Sequence, residues 1–123
     1  MSADRELLEL AAKAAEIGPL DFDYAEREGH GLYFGPRLPM PTGVMMAAMH
    51  RYWNPLTDDG DALRLAARLR LTVSWDRFDG SDYATATPPH THQGYDCIAD
   101  QDPCAATRRA ITRAAAGIGR AMP

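Results

Sequence analysis

Apolar positions recur at helical spacing in three parts of the chain and alternate with polar ones in several others. From about Asp4 to Ile17, the residues Leu7, Leu10, Ala14 and Ile17 share one helix face, and Leu8, Ala11 and Ala15 widen it. Ser2 or Asp4 is placed to cap the start, and Glu6 meets the positive end of the helix dipole. Gly18-Pro19 is the expected stop, because glycine accepts a left-handed terminal conformation and proline cannot continue a helix. A second stripe, Ala62, Leu65, Ala66 and Leu69, widened by Leu63, predicts a helix ending near Arg70. A third, Ala106, Ala110, Ile111, Ala114, Ala115, Ile118 and Met122, predicts a helix that begins at Asp102 as cap with Pro103 at its first position.

Strand patterns lie between the helices. Leu71, Val73 and Trp75 alternate with Thr72 and Ser74, which puts the three apolar side chains on one sheet face. Asp79-Gly80 marks a turn, Tyr83–Thr87 reads as the partner strand, and Tyr95–Ala99 as a short strand returning to the sheet. Upstream, Leu20, Phe22 and Tyr24 alternate with acids. A turn at Glu28-Gly29-His30-Gly31 and a run Leu32-Tyr33-Phe34 would complete a hairpin. Prolines and glycines make 35–43 a loop, and Val44–Tyr52 reads as one or two helical turns with Met45, Met46 and Met49 as packing material. The order is α-β-β-α-β-β-α, an α+β fold in which a small antiparallel sheet packs between or against three helices.

The 123 residues suit a single domain, 1–123. No stretch has the roughly 18 apolar residues of a membrane span, and the acidic, amphipathic start does not read as an export signal. A cytoplasmic location is therefore expected. Cys97 and Cys104 are too few for a disulfide framework. Charge is uneven. Residues 1–28 hold eight acids against Arg5, Lys13 and Arg27, residues 29–104 carry net −3, and residues 105–123 carry four arginines and no acid. The total of −4 argues against general nucleic-acid binding, leaving only the basic last helix, with Arg109, Arg113 and Arg120, as a phosphate grip or interaction surface. The competing reading is a solvated face or pairing with the acid-rich first segment.

Other chemistry is sparse. His90, His92, Cys97 and Cys104 have the side chains a zinc site uses, but the spacing of no common structural site. Asp58, Asp59 and Asp61 lack the alternation of a calcium loop, and helix capping accounts for the first two. Ser74, Ser81 and the two thiols sit in no nucleophile motif, His30 and His50 have no evident partner, and no phosphate-binding glycine loop occurs. Neither catalysis nor a cofactor is expected.

The clearest local signal is Trp53-Asn54-Pro55-Leu56-Thr57-Asp58-Asp59. Pro55 holds Asn54 extended, Thr57 is the expected N-cap, and the aspartates fall in the first turn. Trp53 and Leu56 are placed to fold back over the helix. A folding role is expected for this segment; an exposed Trp53 would instead make it a binding hot spot. The run WNPLTDDGDALRLAARLRLTV, with RELLELAAKAAE before it and ATRRAITRAAAGIGRAM after it, resembles the phage ABA sandwich family of small phage and prophage proteins. The resemblance covers about half the chain and rests mainly on the WNP-x-TD unit. It implies a sheet between helices and expression in a bacterial host cytoplasm, with no established activity, cofactor or catalytic residue. The expected function is that of a phage accessory protein binding an unidentified protein partner or forming a homo-oligomer. The alternatives are a nucleic-acid-associated protein using the last helix, or a small metal-dependent hydrolase around His90 and His92.

Overall fold

The computed structural model describes residues 3–17, 20, 53–99 and 101–123. The expected hairpin between 20 and 34 (beyond Leu20), the loop 35–43 and the methionine-rich turns at 44–52 lie outside these residues. Three helices are described, α1 (Ala3–Ala14), α2 (Asp59–Leu69) and α3 (Pro103–Ala121). Three strands, β1 (Thr72–Phe78), β2 (Ser81–Thr87) and β3 (Tyr95–Ile98), form an antiparallel sheet in the order β1-β2-β3. The protein is thus α+β, with helices packed against a sheet.

The β1–β2 hairpin runs in register from Thr72 opposite Thr87 to Phe78 opposite Ser81. Its two-residue turn, Asp79-Gly80, has positive φ at both positions, 53° and 82°, which matches the right-handed twist of the flanking strands. Alternation then sorts the side chains. Val73, Trp75 and Arg77 oppose Ala86, Ala84 and Asp82, and Tyr95 and Cys97 extend the Ala86 and Ala84 rows on β3. Ala84 and Ala86 are fully buried beneath α3. Ser74, Asp76, Phe78, Tyr83, Thr85 and Ile98 fall on the opposite face.

α3 is the central helix. It lies on β2 and β3 and is flanked by α1 and α2. The α1–α3 seam is built of small residues: Ala11, Ala12 and Ala15 against a helix whose Ala110, Ala114, Ala115, Ala116 and Gly119 are all buried. Its ends are tied by Arg109 to Asp4 (3.1 Å) and by Lys13 Nζ to the Met122 carbonyl (3.1 Å). The two helices therefore run parallel. Leu8, Trp53, Leu65 and Ile111 supply the larger side chains of the core.

Helix ends show both agreement and correction. Asp102 caps α3 by accepting the Ala105 N–H at 3.0 Å, with Pro103 in the first turn, as expected. α1 ends before the expected stop. Glu16 takes the left-handed position at φ 59°, while the Ile17 and Glu16 amides reach back to the Ala12 and Lys13 carbonyls. Arg68 then donates to the Ala15 carbonyl at 2.6 Å, so side-chain hydrogen bonding from α2 supports the earlier ending. The N-cap of α2 is Asp58 and not Thr57. The Thr57 and Asp58 amides both donate to the Asn54 carbonyl, and that turn moves the helix start one residue on. The Asp58 carboxylate accepts the Asp61 N–H at 2.8 Å.

Candidate functional site

Trp53-Asn54-Pro55 is built into the core. Trp53 is 6% exposed and Pro55 is fully buried. Asn54 closes a turn through its own side chain, accepting the Leu56 N–H at 3.0 Å. Its backbone N–H donates to Asp61 at 2.9 Å, and Arg64 donates to the other Asp61 oxygen at 2.8 Å. The buried Asp61 carboxylate is thereby satisfied on both oxygens. Burial of Trp53 and Pro55 together with these bonds gives the segment a structural role in which the Thr57 side chain takes little part, its exposed hydroxyl making only a long contact of 3.5 Å with the Asn54 carbonyl.

The arginines of α3 go to different neighbours. Arg109 pairs with Asp4 of α1. Arg113 turns to β3, donating to the Asp96 carbonyl at 2.9 Å, with its guanidinium 6.0 Å from the Tyr95 ring centre. Arg120 is exposed in the last turn, where positive charge suits the helix dipole. Arg108 bridges to α2, donating to the Leu56 carbonyl (2.9 Å) and Asp59 (2.6 Å). Of the residues weighed as metal ligands, His90 and His92 are in the exposed loop between β2 and β3, Cys97 faces α3 beside Arg113, and Cys104 is exposed in the first turn of α3. Among the described residues, no three His, Cys, Asp or Glu side chains come together as a metal site.

The sequence reading missed the feature with the most binding character. A groove of about 420 Å³ opens between α2, α3 and the edge strand β1, and its walls are almost wholly apolar: Ala62, Leu63, Ala66, Val73, Trp75 and Ile111. Trp75 points to the helix face, as its alternation predicted, yet it is 60% exposed because no described element covers the β1 edge. Its indole N–H is nevertheless held, donating to Thr107 Oγ1 at 2.8 Å, and that hydroxyl donates in turn to the Pro103 carbonyl at 2.7 Å. The expectation that Leu63 widens the core stripe is corrected: it is 69% exposed on the groove wall. Its exposure also fixes the stability test. Leu63→Glu and Trp75→Ala change the unfolding free energy by less than about 1 kcal/mol, since substitutions away from the core cost little.

Beyond Trp75 on β1, Arg77 donates to both oxygens of Asp82, at 2.8 and 3.3 Å. The hydrogen bond, helped by charge attraction, holds the Asp82 carboxyl below the usual carboxylate range and raises the Arg77 guanidinium. A carboxylate with a lowered folded-state pKa stabilises the fold above its unfolded value and loses that contribution as pH falls through the folded one. Asp82→Asn therefore shows a shallower loss of stability than wild type below about pH 4; the measurement is the denaturant midpoint against pH. Comparison with protein-family models, curated proteins and solved structures finds no match. No described helix is long and apolar enough to cross a membrane.

Proposed function

We propose that this chain is a small phage or prophage accessory protein that acts by binding a protein, its own copy included, with no catalysis of its own. The observation that carries the binding reading is the apolar groove beside the open edge of β1, with Trp75 exposed but fixed in place. A strand edge offers backbone hydrogen bonds, and a groove beside it offers pockets for alternate side chains; together they suit an extended segment laid along β1. A tryptophan already held by a hydrogen bond loses little freedom on burial, which favours it as an anchor. The phage setting rests on the likeness of the WNP-x-TD unit and the helices before and after it, and the host cytoplasm rests on that likeness together with the acidic, amphipathic start. Nucleic-acid binding by α3 draws less support, because Arg109 and Arg113 are engaged within the chain and turn to different neighbours.

Panning a random peptide library against the protein tests the reading. The expected winners carry apolar side chains at alternate positions, shift the Trp75 emission to the blue, and lose binding to Leu63→Glu. A library that enriches nothing, or winners indifferent to Leu63→Glu, rejects the groove as the binding surface.

A further inference from the structure

Resting on the binding reading above, we infer that the partner segment joins β1 as an added antiparallel strand, with apolar side chains facing the groove and a basic one opposite Asp76. Hydrogen-bonding parity sets which residues of β1 receive it. The Asp82 carbonyl accepts the Ala99 N–H at 2.8 Å, so Asp82 turns its backbone toward β3. Arg77 stands opposite Asp82 and therefore turns its own backbone away from β2. Alternation extends this to Trp75 and Val73, which stand opposite Ala84 and Ala86. Val73, Trp75 and Arg77 thus offer N–H and C=O groups to the free edge, and no described strand takes them. Trp75 leaves the way open, because its indole is drawn over the sheet toward Thr107 of α3. An open edge of this kind is a template for an incoming strand.

The same parity assigns the side chains. Residues paired across neighbouring strands point the same way. In an antiparallel partner, the residues opposite Val73 and Trp75 exchange backbone hydrogen bonds with β1. Their side chains go to the helix side, into the groove of about 420 Å³ walled by Ala62, Leu63 and Ala66, which favours apolar ones. The residues between them turn their N–H groups away from β1 and their side chains to the other face of the sheet. One of these meets Asp76. Arg77 beside it is neutralised by Asp82, whereas the exposed Asp76 carboxylate has no hydrogen bond or ion pair among the described residues. An opposite charge directly across strands stabilises the pair and a like charge opposes it, so lysine or arginine fits there and an acid does not. The antiparallel direction is favoured because it is the more stable per residue and continues the pattern of the sheet.

The probe is the synthetic peptide Thr-Val-Lys-Leu-Thr-Leu-Thr, blocked at both ends. In this register its lysine lies opposite Asp76 and its leucines opposite Trp75 and Val73. Titration followed by tryptophan emission gives the dissociation constant. N-methylation of the leucine opposite Trp75 removes an N–H that β1 accepts and weakens binding by at least roughly tenfold. N-methylation of the lysine, whose N–H points away from β1, leaves the constant within about twofold. Replacing the lysine by glutamate weakens binding to wild type by about fivefold, and Asp76→Lys reverses that order. Should Asp76→Lys fold poorly by circular dichroism, Asp76→Asn replaces it, and the two peptides then bind alike. Equal losses from the two methylations, or a greater loss from the lysine one, overturn the antiparallel strand. Should Leu63→Glu still abolish binding in that case, the groove reading survives. Indifference to the charge exchange overturns the register. A peptide that fails to bind at about 1 mM overturns the inference as well, and the library experiment then decides the groove separately.

Discussion

Trp53→Ala lowers the free energy of unfolding by about 3–5 kcal/mol, the range for removing a large buried aromatic. Trp53 is 6% exposed and sits in the core cluster with Leu65 and Ile111. It lies just before the Asn54 turn, whose carbonyl receives two amides and whose own amide binds Asp61. The turn holds the backbone in place, so the site cannot collapse easily around the missing ring, and the upper half of the range is expected. Two controls separate packing from capping. Asp58→Ala costs about 1 kcal/mol through the lost N-cap, whereas Thr57→Ala stays within about 0.5 kcal/mol. Denaturant midpoints of the three variants check this. A Trp53→Ala protein of wild-type stability would remove the tryptophan from the core.

Gly119→Ala is the second large effect, and its sign is the informative part. Helix propensity alone favours alanine by about 1 kcal/mol in a helix interior. At position 119, however, a Cβ would run into the Leu10 carbonyl oxygen of α1. The obstacle is backbone, so no side chain can swing aside and α1 must move as a body. Overpacking of this kind costs about 1–3 kcal/mol and sometimes more. Gly119→Ala is therefore expected to destabilise on balance, and Gly119→Val to abolish the cooperative transition, since its larger side chain forces a wider separation of a seam made of alanines. Thermal unfolding followed by circular dichroism is the measurement. A stabilised Gly119→Ala protein would show that the seam is looser than the structure places it.

Much of the architecture was legible because its signals are local. Asp102-Pro103 carries a cap and a first-turn proline within two residues, and Asp79-Gly80 carries the backbone freedom of its hairpin turn; each acts where it stands. The helical stripes were legible for the same reason. What escaped depends on competition between neighbours. Thr57 and Asp58 are both good caps, and the choice fell to Asp58 because the Asn54 carbonyl draws in the two preceding amides. The direction of Trp75 followed from alternation, but its exposure did not. Alternation tells which face a side chain takes, and coverage depends on where α2 settles relative to β1. The groove exists only in that relation, so no run of residues announces it. The arginines of α3 pose the same problem: helical spacing groups Arg109 and Arg113, while Asp4 and Asp96 separate them.

The parallel seam of α1 and α3 has a consequence for the ribosome. Lys13 and Met122, which close one end of it, are 109 positions apart. At roughly 5–20 residues per second, α1 waits on the order of 5–20 s after its own synthesis before its partner helix exists. During that interval the alanine and leucine face of α1 is without the surface that covers it in the finished fold, while the β1–β2 hairpin can close as soon as Thr87 has emerged. The hairpin thus precedes α3 along the chain, and the last helix both covers the sheet and recovers the first helix.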